Sequence, residues 1–295
     1  MLPFSLHRRA FLSALVAASC LPGVAAEAAA PFPRRIACFD YALAELLLLL
    51  GVEPIAVMSA ADWPVWTGEP PLPPSVADLG ASQEPNLERL VALKPDLILS
   101  TDYTAMAEAA AARIAPVERL TIYGAGTDPL PRAREVLLTL GRRLGLEDRA
   151  AAALAAFDAE LAGLSQRLPA NPPPLLMVAF MDTRHARVFG RASLFGNAIE
   201  ALGLANAYPG EVNPWGFATV GVEALAPYGD ALLLSVDPAP ADTWPTLERS
   251  PIWTELPFVR EGRVRRIDPV LTFGAVSAAA RCARLVTGAL AGEAA

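Results

Sequence analysis

The chain has 295 residues, of which 54% are hydrophobic and 19% charged; this composition excludes a disordered chain and fills one large core or, at this length, roughly two. A formal net charge of −7 speaks against nucleic acid as a partner, because phosphate binding needs a surplus of Lys and Arg.

At the N-terminus, Arg8 and Arg9 precede an apolar run interrupted by Ser19, Pro22 and Gly23 and closed by small residues up to Ala26. The run is too short and broken to span a bilayer, which takes about 20 apolar residues, and it predicts an export signal over 1–26. Arg8 and Arg9 followed by Ala10, Phe11 and Leu12 match the twin-arginine type, whose pathway carries folded proteins; an ordinary secretory signal is the alternative. The expected destination is the periplasm. Cys20 is a poor lipid-attachment site, since "AASC" lacks a large aliphatic residue three positions earlier. Cleavage near Ala26 removes two arginines and no acid, so the mature chain is more acidic still.

The stretch "RRIACFDYALAELLLLLGVEPIAVM" predicts strand, loop, helix and strand, with an apolar run at 36–39 and Gly51 stopping the Leu-rich helix. "DLGASQEPNLERLVALKPDLILS" repeats the plan. Asn86 caps a helix that turns Leu87, Leu90, Val91 and Leu93 inward, Pro95 breaks it, and "LILS" is a buried strand. "AAAARIAPVERLTIYG" supplies a third helix and strand. Three such alternations predict a parallel sheet covered on both faces, a first lobe at 31–145. From 130 to 168 the pattern is nearly continuous helix, and its second part, at 146–168, is about 23 residues or roughly 34 Å at about 1.5 Å per residue. This part is the expected bridge. "PANPPP" is a stiff bend, after which "LLMVAF", "DALLLSV", "VRRIDPV" and a helix from Ala275 predict a second lobe at 172–293. The expected fold class is therefore α/β: two lobes with mainly parallel sheets joined by one long helix. Cys38, in the first strand, and Cys282, in the last helix, read as two buried, unpaired thiols.

Catalytic patterns are scarce. The chain holds two histidines; His7 leaves with the signal, and His185 stands between two arginines with no G-x-S-x-G elbow to serve. A transition-metal site takes two or more His or Cys. "YGAGTDP" offers Gly124 and Gly126 after a strand, but Pro129 and the missing third glycine make a poor dinucleotide loop. An exported two-lobed chain without a catalytic set is best read as a binder, and clefts of binders combine aromatic walls with a few aimed polar groups. The aromatics predicted at strand ends or in loops are Tyr41, Trp63, Trp66, Tyr103, Trp215 and Phe273.

The segments "EPPLPPSVADLG", "EPNLERLVALKPDLIL", "ARIAP", "DTRHARVFGRASLFGNAIEALGLANAYPGEVNPWG" and "PIWTELPFVREGRVRRI", in this order, resemble the periplasmic ferric hydroxamate siderophore-binding proteins of ferrichrome-type uptake. The resemblance covers essentially the whole mature chain. It implies two α/β lobes bridged by a rigid helix (the class III solute-binding fold), a shallow cleft that changes little on loading, and a monomer that delivers an iron chelate to an inner-membrane ABC permease and its ATPase. Tyr41, Trp66, Tyr103, Trp215 and Phe273 fall where that family lines its cleft, Tyr103 after a one-residue gap, and Phe217 is a further expected ligand-binding residue.

Four positions depart from the family and bear on the ligand. Ser82 stands where the family has an arginine for the iron–hydroxamate oxygens, Leu271 replaces a tryptophan and Phe273 a tyrosine. Arg187 falls where the family has an apolar residue, and its forked donors suit a chelate's anionic oxygens; the expectation is that it replaces the charge Ser82 does not offer. By the same resemblance Glu88 and Glu223, each in the first turn after a loop, would meet arginines on the two permease halves. No cofactor is expected, the iron being held by its chelator. The rival readings are a cobalamin or haem carrier of the same fold, with Tyr41 or Tyr103 as an axial ligand, and an exported hydrolase using His185.

Overall fold

In the computed structural model, which describes residues 32–81 and 84–292, the innermost strand is the three-residue β1 (Ile36–Cys38), buried throughout. Ser82, the expected signal and Cys20 lie outside the described residues. After β1 the chain turns at Asp40, whose carboxylate accepts from the Ala42 amide at 2.8 Å and caps α1 (Tyr41–Leu49), satisfying one of the free N–H groups of a helix start. β2 (Ala56–Val57) and the short α2 (Trp63–Trp66) follow, then β3 (Ala77–Asp78). Asn86 caps α3 (Leu87–Leu93) by accepting from the Arg89 amide at 2.8 Å. Leu90 is the buried residue of α3, with Leu87 and Leu93 packed beside it. Val91, expected on that face, is 55% exposed; one residue on from Leu90 it is turned by about 100°, off a narrow i, i+3 stripe. β4 (Leu97–Ser100), α4 (Ala105–Ala111) and β5 (Val117–Arg119) complete a five-stranded, all-parallel sheet in the order β3-β2-β1-β4-β5.

Two helices follow. α5 (Pro129–Leu144) ends at Gly145, which adopts φ +67°; a Cβ there would stand 2.6 Å from the ring of Phe32, so the position needs glycine for both backbone and space. The expected bridge is α6 (Glu147–Ser165), a 19-residue helix about 28 Å long. The second sheet has the order β10-β9-β6-β7-β8. Its strands β6 (Leu175–Phe180), β9 (Leu232–Val236) and β10 (Val264–Ile267) are parallel and match the strand segments read from the sequence. β7 (His185–Phe189) and β8 (Phe217–Gly221), not anticipated, add an antiparallel edge. α7 (Leu194–Ala201) lies between them in sequence; α8 (Thr243–Leu247), α9 (Pro251–Thr254) and α10 (Pro257–Arg260) fill the β9–β10 connection. The element after β8 is a 3₁₀ helix at Val222–Tyr228 with Pro227 inside it, where the sequence suggests an ordinary helix; proline has no N–H to extend an α-helical ladder.

The last helix, α11 (Val276–Ala291), packs on α1, α5, α6 and α7. It thereby belongs to a core that runs without interruption from the inner residues of β1 and α1 through α5 and α6 to β6 and α7, while a smaller core covers the opposite side of each sheet. Cys38 and Cys282 are free and fully buried; burial pushes both thiols up, Cys282 to about 12, so neither is a thiolate at neutral pH. No helix among the described residues is long and apolar enough to cross a membrane.

Candidate functional site

In parallel sheets the residues just past the carboxyl ends of the strands are free to face a ligand. Here Asp40 after β1, Ser59 after β2, Tyr103 after β4, Tyr123 after β5 and Phe273 after β10 all line one cavity of about 430 Å³, within the range of small-ligand sites. Of the nine expected ligand-binding residues, the cavity brings together Tyr41, Trp66, Tyr103, Arg187, Trp215, Phe217, Leu271 and Phe273. Trp63 stays out. It is 1% exposed, packs against Tyr41 at 4.9 Å between ring centroids and donates from its indole to the Pro70 carbonyl at 2.8 Å.

The wall is an aromatic set drawn from both lobes, with Trp215 at its centre. Tyr103 meets Trp215 edge-on at 5.8 Å and 88°, Tyr123 stacks on it at 6.3 Å and 26°, and Phe273 packs against it at 5.4 Å. Phe217 reaches Phe273 at 6.2 Å. These separations fall in the favourable range for ring pairs. Trp66 and Tyr103 are each 49% exposed, so they form the mouth. The turn that presents Trp215 is closed by Asn213, whose side-chain oxygen accepts from the Trp215 amide at 2.9 Å, an Asx turn.

The polar groups are few. Lining carboxylates come from Asp40, Asp62 and Asp102; Asp40 accepts from the Thr101 hydroxyl at 2.9 Å and Asp102 pairs with Arg119 at 3.2 Å. The hydroxyl of Tyr41 donates to the Ser59 carbonyl, and burial, with Asp62 and Asp78 nearby, pushes this phenol up, so it stays protonated. The cation in the lining is Arg187. In the β7–β8 register Arg187 is opposite Thr219, which puts Phe217 diagonally across on the same face, and the guanidinium lies 4.7 Å from the centre of that ring. Its Nε is buried without a hydrogen-bond partner. The cation–π contact restrains the guanidinium, and the unpaired donor is what an anionic oxygen would satisfy.

Glu88 and Glu223 lie away from the cavity, both exposed, in the first turns of α3 and of the 3₁₀ helix after β8. His185, at the start of β7, is also exposed; its ring Nδ1 bonds to the Asp182 carboxylate at 2.9 Å, and it does not line the cavity. Among the described residues no group of three or more His, Cys, Asp or Glu is arranged to hold a metal ion. The sequence reading missed Tyr123, although "LTIYG" has the same strand-end aromatic before a glycine loop as the other candidates; its glycines drew attention to the loop instead.

Two α/β lobes with an aromatic cleft at their strand ends define a ligand-clasping binding protein. The chain belongs to the family described as Periplasmic binding protein, which matches residues 36–271. It is 35% identical to the iron(3+)-hydroxamate-binding protein FhuD of Escherichia coli over 292 residues, 98% of each chain. The ferric-anguibactin-binding protein FatB of Vibrio anguillarum is 28% identical over 59% of this chain and 54% of its own. Among solved structures, the siderophore-binding protein FhuD of Vibrio cholerae, bound to Fe3+-Desferal, superposes with a TM-score of 0.83 at 28% identity, covering 87% of this chain and 97% of that one. The triscatecholate siderophore-binding protein FeuA of Bacillus subtilis shares the fold, with a TM-score of 0.72 at 18% identity over 88% and 93% of the two chains. These relatives are solute-binding proteins, not enzymes.

Proposed function

We propose that the protein is a periplasmic carrier that takes a ferric siderophore of the hydroxamate type into the cleft and delivers it to an inner-membrane ABC permease. The observation that carries this reading is the pairing of an aromatic wall with an arginine whose buried Nε has no partner, in a chain 35% identical to a hydroxamate-binding protein over nearly its whole length. A hydroxamate chelate has an apolar coat for ring faces and anionic oxygens for a forked donor. The iron stays within its organic ligand, and the protein grips the coat. Tyr41, Trp66, Tyr103, Trp215, Phe217, Leu271 and Phe273 are the walls, Arg187 is the donor in place of an arginine at Ser82, and lobes at 31–145 and 172–293 are held by the bridge at 146–168. A cleft already formed before loading loses little ordering entropy.

Titration of intrinsic tryptophan fluorescence with ferrichrome, ferric desferrioxamine B, ferric citrate, cobalamin and haem tests the reading. Quenching that saturates with the two hydroxamates and not with the others is expected; saturation only with haem, with a Soret band, or only with cobalamin would replace it by the rival carrier.

Docking is assigned to Glu88 and Glu223. Their duplicated placement, one per lobe, and their lack of ion pairs among the described residues suit a bipartite basic partner. Glu88→Lys with Glu223→Lys is expected to abolish iron uptake through the permease in cells while leaving chelate affinity unchanged; lost affinity would assign both residues to the binding fold instead.

A further inference from the structure

Two side chains of the first lobe reach behind the cleft and grip the chain at 274–278 in the second. Glu45, in the middle of α1, is fully buried. Its carboxylate accepts from the Ala275 amide at 2.9 Å and from the Ala278 amide, more than two hundred residues along the chain. Those amides open α11, whose own N-cap, Ala275, has no side chain able to cap it. Glu45 therefore does from another helix what an Asp or Ser would do locally, and it puts negative charge at the positive end of a 16-residue helix. The second grip is Tyr123, whose hydroxyl donates to the Gly274 carbonyl at 2.5 Å. Its ring meets Trp215 and Phe273 in the cleft wall. The packing is close, for a Cβ on Gly274 would stand 2.8 Å from Oε2 of Glu45.

We propose that Glu45 is a positioning residue for ligand binding: together with Tyr123 it ties the segment at 271–275 to the first lobe and so holds Phe273 against Trp215. The proposal rests on the siderophore reading of the cleft. An ionised carboxylate can take both α11 amides, one on each oxygen, whereas a protonated carboxyl carries an O–H donor where an acceptor is needed. Burial pushes Glu45 up to about 7, against the lowering effect of the α11 hydrogen bonds from Ala275, Ala278 and Ser277. The ionisable groups facing the clasp are the neutral Tyr123 and, beyond it, Asp40. The cations of α11 are engaged elsewhere, Arg281 by Glu69 and Asp268 and Arg284 by Glu69 and Glu160.

The sign of the linkage gives the residue a signature. A carboxyl whose folded pKa is raised contributes stability below its ordinary value of 4.5, and that contribution is lost as pH rises through about 7. Against a displacement of 274–278 that leaves Glu45 buried the reference differs: there the hydrogen bonds from Ala275, Ala278 and Ser277 lower the carboxyl, so the clasp tightens as Glu45 ionises. Affinity and stability should therefore slope oppositely with pH because of one side chain.

The test uses the full mature chain as wild type, Glu45→Gln and Tyr123→Phe. Hydrogen-exchange protection of the amides at 274–278 is measured without ligand, and affinity for ferric desferrioxamine B by tryptophan fluorescence, each from about pH 6 to about pH 8, the range that brackets the titration. In the wild type, protection and affinity are expected to rise together, affinity by about threefold or more, while Glu45→Gln is flat in both at the weaker end and Tyr123→Phe falls between. A Glu45→Gln protein with the parent's pH slopes would overturn the proposal. Were the wild type to bind no hydroxamate, the siderophore reading would fail, yet protection at 274–278 that ignored pH would still sink the clasp on its own. Should Glu45→Gln not fold, Tyr123→Phe decides, and unchanged protection and affinity there would end the idea.

Discussion

On the siderophore reading, Arg187 is the residue on which the chemistry of the cleft turns. It stacks on Phe217 and keeps a buried Nε without a partner, so an anionic oxygen arriving there would form a charge-assisted bond with a donor already stripped of water. Such bonds contribute about 1.5–3 kcal/mol. Arg187→Ala is accordingly expected to weaken hydroxamate affinity by roughly tenfold to a hundredfold, with little change in melting temperature because the residue enters no ion pair among the described residues. Lysine at this position would keep the charge but lose the fork and the stacking, and should recover only part of the loss. Calorimetric titration of the three proteins checks this, and an alanine variant with the parent's affinity would return Arg187 to the surface. Its candidacy as the donor was legible from residue type and from where it fell in the resemblance. The stacking on Phe217 was not, because it depends on a strand pairing that the sequence does not announce.

At the scale of elements, legibility followed burial. β4 and β9 are short apolar runs buried at every position, and β6 nearly so, and such runs stand out in any sequence. In β7, "HARVF", only Ala186, Val188 and Phe189 are buried, and β8, "FATVG", has no fully buried residue; such strands, one next to the sheet edge and one at it, carry too few buried apolar positions to be read. Yet this edge presents Arg187, Phe217 and the turn bearing Trp215. Gly216, at the pivot of that turn, adopts φ +83°, and a Cβ there would lie 2.5 Å from the Ala192 carbonyl. Both the left-handed backbone and the close approach exclude a side chain. Gly216→Ala should cost about 1–2 kcal/mol from the backbone alone and more from the clash. The turn would be pushed away from the start of α7, with Trp215 going with it. The expected result is a melting temperature lower by several degrees together with weaker chelate binding. Thermal melts and fluorescence titration would detect the two effects, and a variant that melted early yet bound as the parent does would show that Trp215 is placed by its ring contacts instead of by its turn.

For the whole molecule the question is how far the lobes can move, and the answer lies in contacts that no local pattern encodes. The two sheets share one core through α1, α5, α6, α7 and α11, and close-packed interiors do not deform continuously. Polar ties reinforce it. Arg284 on α11 bonds to Glu160 of α6 at 2.7 Å and to Glu69 of the first lobe at 2.6 Å, and Glu45 and Tyr123 cross from the first lobe to the start of α11. The partners in these ties are more than a hundred residues apart in the chain, which is why composition and periodicity gave the two lobes but not their mutual fixation. A hinge that closed on a ligand would have to open this core or break these pairs, and the energy of binding one compact chelate would be spent doing so. Loading is therefore expected to leave the radius of gyration in solution unchanged, with differences confined to side chains at the mouth such as Trp66 and Tyr103, which are half exposed. Small-angle scattering of the empty and the ferric desferrioxamine-loaded protein measures this directly. A clear contraction on loading would mean that the shared core yields, and that recognition by a permease reads the closure of the lobes instead of a fixed pair of carboxylates with a ligand seated between them.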